Sequence, residues 1–262
     1  MSLCSIAVFY KFVLAATNWT CERIRFCVQI GSLKSGRTNK DGLDHGQRTM
    51  KRIIDGVLKF QRDVYPAQKA LFQQLSDAQR PQAMFIGCSD SRVIPELFMQ
   101  QGPGDLFVVR NAGNIVPPHA VAPGGVSASI EYAVAVLGVP DIVVCGHSGC
   151  GAMTAILRGS EQLEALPEVA RWLHFADAAR KVVAEQHASK DDEKLNILVR
   201  ENVLAQLDNL LTHPVVANAV QAKEVRLHGW VFDIATATVT TYDAETGDFV
   251  PLAHSSFVGT KS

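Results

Sequence analysis

The sequence lacks a strong net charge, and this absence excludes several classes of partner. The formal charge is -1, and no block of five or six like charges is present. A surface field suited to nucleic acid or to an anionic membrane is therefore not expected. An apolar stretch at residues 3–16 is too short to cross a bilayer and is interrupted by Lys11. Together these absences favour a small-molecule partner.

Cysteine is too scarce for a disulfide-dense secreted scaffold, because the 262 residues contain only six. Cys88, Cys145 and Cys150 lie in apolar or glycine-rich runs, which is typical of a reduced enzyme. We therefore predict a cytoplasmic location. With 47% apolar and 19% charged residues, the chain can bury a sizeable core and is predicted to be globular.

The first 49 residues differ from the rest. They carry seven lysines and arginines against three acidic residues, and residues 31–46 show no apolar periodicity. We predict that 1–49 is a non-core extension and that 50–262 is the folded domain. The stretch 3–16 lacks the basic start of a signal peptide, so an upstream start artefact is favoured over a presequence or export signal. Met50 is the expected natural first residue.

Alternating patterns after Met50 predict an α/β fold. Residues 50–75 read as two amphipathic helices separated by Pro66. Short apolar runs at 83–87, 105–110 and 140–146 read as buried strands, and helical patterns follow at 127–137 and from 151 to a C-cap at Gly159. Strands alternating with helices predict a mainly parallel β-sheet flanked by helices, with an amino-terminal helical arm.

The last third of the chain predicts one more helix and an additional strand region. The helix is expected at 196–211, strands at 225–234 and 238–244, and a turn at 245–248. In parallel α/β sheets, ligands gather at the carboxyl ends of the strands. Polar side chains at those ends are therefore the candidate functional residues.

Three potential metal ligands follow two of the predicted strands. Cys88 comes directly after one, and His147 and Cys150 follow another in the order His-x-x-Cys. Thiolate and imidazole are ligands that Zn²⁺ prefers, and three protein ligands leave a fourth position open, as in catalytic zinc sites. Taken singly, each residue is more simply a buried thiol or a hydrogen-bonded histidine. Cys145 keeps that simple interpretation, since it belongs to an apolar run.

The segment from Cys88 to Arg92 reads Cys-Ser-Asp-Ser-Arg and adds a charged pair. Asp90 is close enough in sequence to approach the metal, and Arg92 can pair with its carboxylate in bidentate fashion. Asp90 would then stay ionised and could orient a zinc-bound hydroxide. For an isolated Asp-x-Arg, an ordinary structural ion pair is the simpler explanation.

The motifs CSDSR and GHSGCG together resemble the β-class carbonic anhydrases. The resemblance runs from Met50 nearly to Leu252 and is closest to bacterial members associated with cyanate-degradation operons, through RNAGNIVPP, GGVSASIEYAV, VRENVLAQL and LHGWVFDI. It implies a lyase that reversibly hydrates carbon dioxide to bicarbonate and a proton, by attack of zinc-bound hydroxide. One Zn²⁺ per subunit would be held by Cys88, His147 and Cys150, with Asp90 and Arg92 catalytic and Asp90 a fourth ligand in a resting form.

The resemblance also implies a substrate pocket and an oligomer. In the plant-like branch the carbon dioxide pocket uses residues that match Gln79, Phe107 and Tyr132, although alone these would be read as structural. A second branch has a regulatory bicarbonate site, and this sequence has Phe85 and Phe232 where that branch has a tryptophan and a tyrosine. The implied protein is thus of the plant-like branch, a homodimer or higher homo-oligomer with active sites at the subunit interface.

Three rival functions remain at this point. Hydrolysis of a carbon dioxide analogue such as carbon disulfide could use the same metal and charged pair. A non-catalytic zinc-binding or bicarbonate-binding protein would be indicated by loss of Asp90 or Arg92, and both are present. A nucleotide-binding protein is weaker, since Gly146, Gly149 and Gly151 are spaced G-x-x-G-x-G rather than G-x-G-x-x-G. Two thiolate ligands predict activity that needs mildly alkaline pH.

Overall fold

The computed structural model describes residues 45–121, 124–159, 163, 165–185 and 190–255. The predictions made for residues 1–44 lie outside this range. The chain divides into two compact units, 1–73 and 74–262. The sheet and the candidate functional residues all belong to the second unit.

Helices make up the described part of the first unit. Helix α1 spans His45–Lys59, a π-helical turn covers Phe60–Val64, and α2 spans Tyr65–Leu75. Helix α1 thus begins five residues before Met50. Apolar periodicity could not reveal this first turn, because it detects only the part of a helix that carries an apolar stripe.

Pro66 does not separate two helices, contrary to the sequence-based prediction. It is the second residue of α2, and helical backbone continues through it. Proline in a helix lacks a donor and clashes with the carbonyl one turn back. The π-helical turn lies at that point, with the Tyr65 N–H bonded to the Phe60 carbonyl, five residues earlier. This wider turn accommodates the proline without ending the helix.

The second unit is built on one six-stranded sheet in the order β2-β1-β3-β4-β5-β6. The four strands from β2 to β4 are parallel, and β5 and β6 add antiparallel pairs. The predicted mainly parallel α/β fold is confirmed. The sequence analysis did not predict β6. The strands are β1 Ala83–Cys88, β2 Leu106–Asn111, β3 Asp141–His147, β4 Arg226–Phe232, β5 Val239–Asp243 and β6 Asp248–Pro251.

Helices and short helical turns connect the strands. The sequence reading gave 127–137 as one helix, but the helix starts at Gly125 and its second half, Tyr132–Val136, is π-helical. Gly159 ends α5 with φ 92°, which confirms the predicted C-cap. The helices are α3 Pro95–Phe98, α4 Gly125–Glu131, α5 Gly151–Arg158, α6 Pro167–Leu173, α7 Asp177–Glu185, α8 Asp191–Leu211 and α9 Pro214–Gln221, with 3₁₀ turns at His174–Ala176 and Leu252–His254.

Helix α8 packs directly on strands β3 and β4. Two strand glycines permit the close approach, because a Cβ at Gly146 would lie 2.9 Å from Val199 Cγ1 and one at Gly229 would lie 3.0 Å from Val203 Cγ1. Strand β1 and strand β3 are buried along almost their whole length. None of the described helices is both long enough and apolar enough to span a membrane.

Candidate metal centre

The carboxyl ends of two neighbouring strands bring three ligand atoms together. Cys88 is the last residue of β1, His147 is the last residue of β3, and Cys150 directly precedes α5. Because β1 and β3 are adjacent and parallel, these ends meet at one edge of the sheet. The three ligand atoms lie within 4.8 Å of one another, and all three residues are buried.

The imidazole of His147 is oriented for metal binding. Its Nδ1 lies 3.0 Å from the Ser148 carbonyl oxygen, so Nδ1 carries the proton and donates it there. This leaves Nε2 with a free lone pair, and Nε2 is buried without a hydrogen-bond partner among the described residues. A buried polar atom without a partner is costly unless a cation or another group binds it. The orphaned nitrogen beside two thiols therefore fits Zn²⁺.

The two thiols are electrostatically linked. A hydrogen bond from Cys150 is the main cause that lowers the pKa of Cys88, to about 4, and the same contact together with burial raises the pKa of Cys150 well above its usual value. The pair therefore favours one shared proton, and a divalent cation is what would hold both sulfurs as thiolates. Cys145 differs, since burial raises the pKa of its thiol to about 12, in keeping with a core residue.

Asp90 and Arg92 form a bidentate ion pair beside these ligands. Arg92 Nε and Nη2 donate to Asp90 Oδ1 and Oδ2 at 2.9 and 2.7 Å, and the Arg92 backbone N–H also donates to Oδ1 at 3.0 Å. Asp90 Oδ2 lies 3.9 Å from His147 Nε2. The hydrogen bond from Arg92 holds the pKa of Asp90 far below its usual range. Asp90 is therefore an ionised acceptor facing the centre.

Further arginine contacts tie the two ligand-bearing loops together. Arg92 Nη2 donates to the Gly149 carbonyl at 3.2 Å. Arg110 Nε donates to the Cys88 carbonyl at 2.9 Å and its Nη2 donates to the Asp90 carbonyl at 2.6 Å. The sequence analysis did not assign Arg110 to the centre. Its sequence signals were its position at the end of the second predicted strand and its place in the RN motif, where the resemblance matches it to the arginine of the second branch's regulatory site.

Two of the three predicted pocket residues lie together, but away from the metal end of this chain. The rings of Phe107 and Tyr132 are 6.1 Å apart. In the sheet register Phe107 pairs with Met84, which precedes Cys88 by four residues. At about 3.3 Å per residue, this places Phe107 about 13 Å from Cys88 along the sheet. Gln79 lies in the exposed loop before β1.

The aromatic residues that replace the regulatory-site pair are packed in the core. Phe85 is fully buried and Phe232 nearly so. Phe98 lies between them, stacked on Phe232 at 4.7 Å and in edge contact with Phe85 at 6.0 Å. Apolar rings fill this position, and Phe232 has no hydroxyl to donate. The assignment to the plant-like branch stays a prediction from the sequence.

A family model described as carbonic anhydrase matches residues 83–239. A carbonic anhydrase of Pseudomonas aeruginosa is 58% identical over 205 residues, which cover 78% of this chain and 92% of the relative. Carbonic anhydrase 1 of Escherichia coli O157:H7 is 55% identical over 204 residues, covering 78% of this chain and 93% of the relative.

Solved structures show the same relationship. The β-carbonic anhydrase CcaA aligns with a TM-score of 0.76 at 42% identity, covering 78% of this chain and 92% of that one. One of two tetrameric β-carbonic anhydrases from Sordaria macrospora aligns with a TM-score of 0.67 at 29% identity, covering 74% and 96%. These matches, with the Cys-His-Cys group at the strand ends, confirm the family and the zinc cofactor predicted from the sequence. The chain therefore belongs to the carbonic anhydrase family, in its β class.

Proposed function

We propose that this protein catalyses the zinc-dependent, reversible hydration of carbon dioxide to bicarbonate and a proton. The observation that carries the proposal is the convergence of Cys88, His147 and Cys150 with an ionised carboxylate beside them. The donor set and its position at the carboxyl ends of parallel strands fit a catalytic zinc site with one open coordination position. The 58% identical carbonic anhydrase supports the same reaction.

The proposed roles of the residues follow from the geometry. Zinc held by the two cysteines and the histidine would acidify a water molecule and so supply the nucleophile. Asp90, kept ionised by Arg92, would accept a hydrogen bond from that nucleophile and so orient it toward the incoming carbon. Because both oxygens of Asp90 already pair with Arg92, an orienting role is favoured here over ligation. Two thiolate ligands reduce the charge of the centre, so activity is expected at mildly alkaline pH.

We further propose that a second chain completes the substrate pocket. Phe107 lies about 13 Å from Cys88 along the sheet. Tyr132 is beside Phe107, at 6.1 Å between the rings, so the aromatic pair is not next to the metal ligands of its own chain. Tyr132 is 44% exposed, and helix α1 exposes an apolar stripe of Met50, Ile53, Ile54, Val57 and Leu58. Exposed apolar groups of this kind are typical of interfaces between subunits. A homodimer or a larger homo-oligomer would bring one chain's aromatic pair to the other chain's metal.

A mixing experiment tests the shared pocket. Cys88→Ala lacks the metal but keeps Tyr132, whereas Tyr132→Ala keeps the metal but lacks the ring. Mixed oligomers of the two variants should contain intact sites and regain hydration above that of either variant alone. If pocket and metal belonged to one chain, mixing would restore nothing. Light scattering on the wild type gives the oligomer size.

The reaction itself is tested by stopped-flow carbon dioxide hydration with zinc-loaded protein. Hydration far above the buffer rate is expected, rising toward alkaline pH. Carbon disulfide in a parallel assay addresses the rival hydrolase, and hydrolysis faster than hydration would replace the proposed substrate. Stoichiometric zinc with neither activity would instead support the non-catalytic binding protein.

The location and the domain boundary are proposals as well. We propose a cytoplasmic protein, supported by three free, buried cysteines in the described structure, and a dispensable segment 1–49. A chain starting at Met50 loses the first turn of α1 but should match the full chain in zinc content and hydration. Amino-terminal sequencing of protein from its own cells is the direct check: a start within 1–49 in an exported fraction would overturn both proposals.

A further inference from the structure

The loop that follows β2 is buried but belongs to no sheet, so its backbone must find other hydrogen-bond partners. Residues 113–117 are buried, and buried backbone groups are almost always paired. The Asn111 side chain forms two hydrogen bonds with the backbone of Ile115, at 2.7 and 2.9 Å. Trp172 of α6 donates to the Ala112 carbonyl at 2.8 Å. The other partners come mainly from α8 and its carboxyl end.

Three amide side chains of α8 form a ladder against this loop. They are Asn202, Gln206 and Asn209, whose spacing of four and three residues places them on one helical face. Asn202 and Gln206 are fully buried. Gln206 Nε2 donates to Asn202 Oδ1 at 3.0 Å, and Asn209 Nδ2 donates to Gln206 Oε1 at 3.1 Å. The amides therefore orient one another.

Each amide of this amide ladder also forms a hydrogen bond with the loop backbone. Asn202 Nδ2 donates to the Gly113 carbonyl at 3.0 Å. Gln206 Oε1 accepts from the Val116 N–H at 2.8 Å, and Asn209 Nδ2 donates to the Val116 carbonyl at 2.9 Å. The backbone between Gly113 and Val116 is thus fixed at both ends by side chains nearly ninety residues away in sequence.

The loop in turn lies beside the two segments that carry the metal ligands. Asn111, at its start, is the register partner of Cys88, and its carbonyl accepts a hydrogen bond from the Ser89 N–H at 2.9 Å. Gly113 has φ +80°, and a Cβ there would lie 3.1 Å from Ala152 Cβ and 3.0 Å from Met153 Cε, in the helix that follows Cys150. The positive φ and the limited space fix the path of the loop between these two segments. Groups that surround metal ligands orient them and tune their affinity for the metal.

We propose that Asn202 and Gln206 are positioning residues for the zinc site, which they reach through loop 111–117, because this loop packs against the segments that carry Cys88 and Cys150. The inference rests on the proposed zinc-dependent function and extends it to a part of α8 that touches no ligand directly. Loss of either amide would free the loop, leave Cys88 and Cys150 less firmly held and loosen the hold on zinc.

Zinc release tests this role independently of hydration. The variants Asn202→Leu and Gln206→Met keep approximate volume but remove the hydrogen bonds to Gly113 and Val116. The rate of zinc transfer from the holoprotein to a chromogenic chelator should rise about tenfold, in line with other outer-shell contacts. In cobalt-loaded protein, the thiolate-to-cobalt charge-transfer band should shift. The matched control is Val216→Ala, a buried core change on α9 that leaves the hydrogen bonds between the amides and the loop in place.

The outcomes separate the possibilities. The proposal is overturned if both variants release zinc at the wild-type rate and keep the wild-type cobalt spectrum, while their thermal midpoints fall as in Val216→Ala. The amide ladder would then be only a core network. If neither variant accumulates as folded protein, Asn209→Ala, at a half-buried position, decides: zinc release faster than that of wild type and of Val216→Ala supports the role, and unchanged release refutes it. Wild-type protein that binds one zinc but does not hydrate carbon dioxide would refute the proposed function alone, since the release test would still stand.

Discussion

Two aspartate–arginine pairs, at opposite ends of the sheet, have nearly the same geometry. Asp90–Arg92 and Asp141–Arg226 are both bidentate, with a shortest distance of 2.7 Å in each case. The arginines are 53% and 57% exposed and the aspartates 17% and 21%. The first pair lies at the carboxyl ends of the strands and the second at their amino ends. The geometry of an ion pair alone therefore does not identify a catalytic role.

What distinguishes the pairs is what lies beside them. Asp90 faces His147 Nε2 at 3.9 Å, within the centre formed by Cys88 and Cys150. Asp141 on β3 and Arg226 on β4 are instead register partners, so their ion pair links two neighbouring strands. His228 adds a third contact to Asp141, at 2.8 Å. We expect the first pair to control turnover and the second to contribute to stability.

Removing a metal ligand should have the largest effect on hydration. It should also abolish the functional difference between the two ends of the sheet. In Cys88→Ala, His147→Ala or Cys150→Ala, zinc should fall below about one-tenth of an ion per chain, with hydration at background, since the remaining donors cannot hold the ion. Metal analysis and stopped-flow hydration are the measurements. Cys145→Ala is the matched control, because its buried thiol lies outside the group, and it should keep zinc. Full occupancy in a ligand variant would refute that ligand.

Neutralising Asp90 should give the next largest effect. Asp90→Asn should keep zinc but lower the hydration rate about 100-fold, because it loses the charged acceptor that orients the nucleophile. The pKa of Asp90 is lowered, so it stays ionised at neutral and alkaline pH and the loss should persist across that range. Arg92→Ala should act in the same direction.

The matched variant at the other end of the sheet is Asp141→Asn. It should hydrate carbon dioxide at the wild-type rate. Equal losses in Asp90→Asn and Asp141→Asn, or none in either, would remove the functional distinction between the two pairs.

Asp141→Asn should instead change stability, by a smaller amount. Burial raises the pKa of Asp141, but the hydrogen bonds from Arg226 and His228 outweigh it, so the net shift is downward. A lowered pKa in the folded state stabilises it above the unfolded pKa of about 4, and that gain disappears as the pH falls through the folded pKa. The variant should be less stable by about 1 kcal/mol at pH 7, with the difference closing in acid once Asp141 is protonated in the folded state as well. Urea unfolding at pH 7 and across the acid range is the measurement, and a gap independent of pH would contradict the charge-based explanation.

The smallest effect is expected at an exposed pair in the first unit. Arg62 and Asp63 are adjacent in sequence, with side chains 71% and 41% exposed. Solvent screens such pairs, so Asp63→Asn should alter the free energy of unfolding by less than about 0.5 kcal/mol. A loss comparable to that of Asp141→Asn would show that burial and register add nothing to the second pair.

Local sequence patterns were enough to predict the parallel strands and the chemical groups at their ends. Short apolar runs at 83–87 and 140–146 predicted buried strands, and the ends of adjacent parallel strands share an edge, so Cys88 and His147 could be placed together. Local patterns carried this information because strand burial and strand ends are properties of short segments.

Contacts between residues far apart in the sequence became apparent only in the fold. The separation of Phe107 from Cys88 and the helix running through Pro66 could not be read from spacing. The amide ladder is the strongest case, since Asn202 reaches the Gly113 carbonyl across 89 positions. On the sequence its three amides are ordinary polar residues of a helix. Strand glycines let α8 pack closely on the sheet, so that its amides become buried. A buried amide needs a hydrogen-bond partner, and the backbone of the loop beside Cys88 provides one.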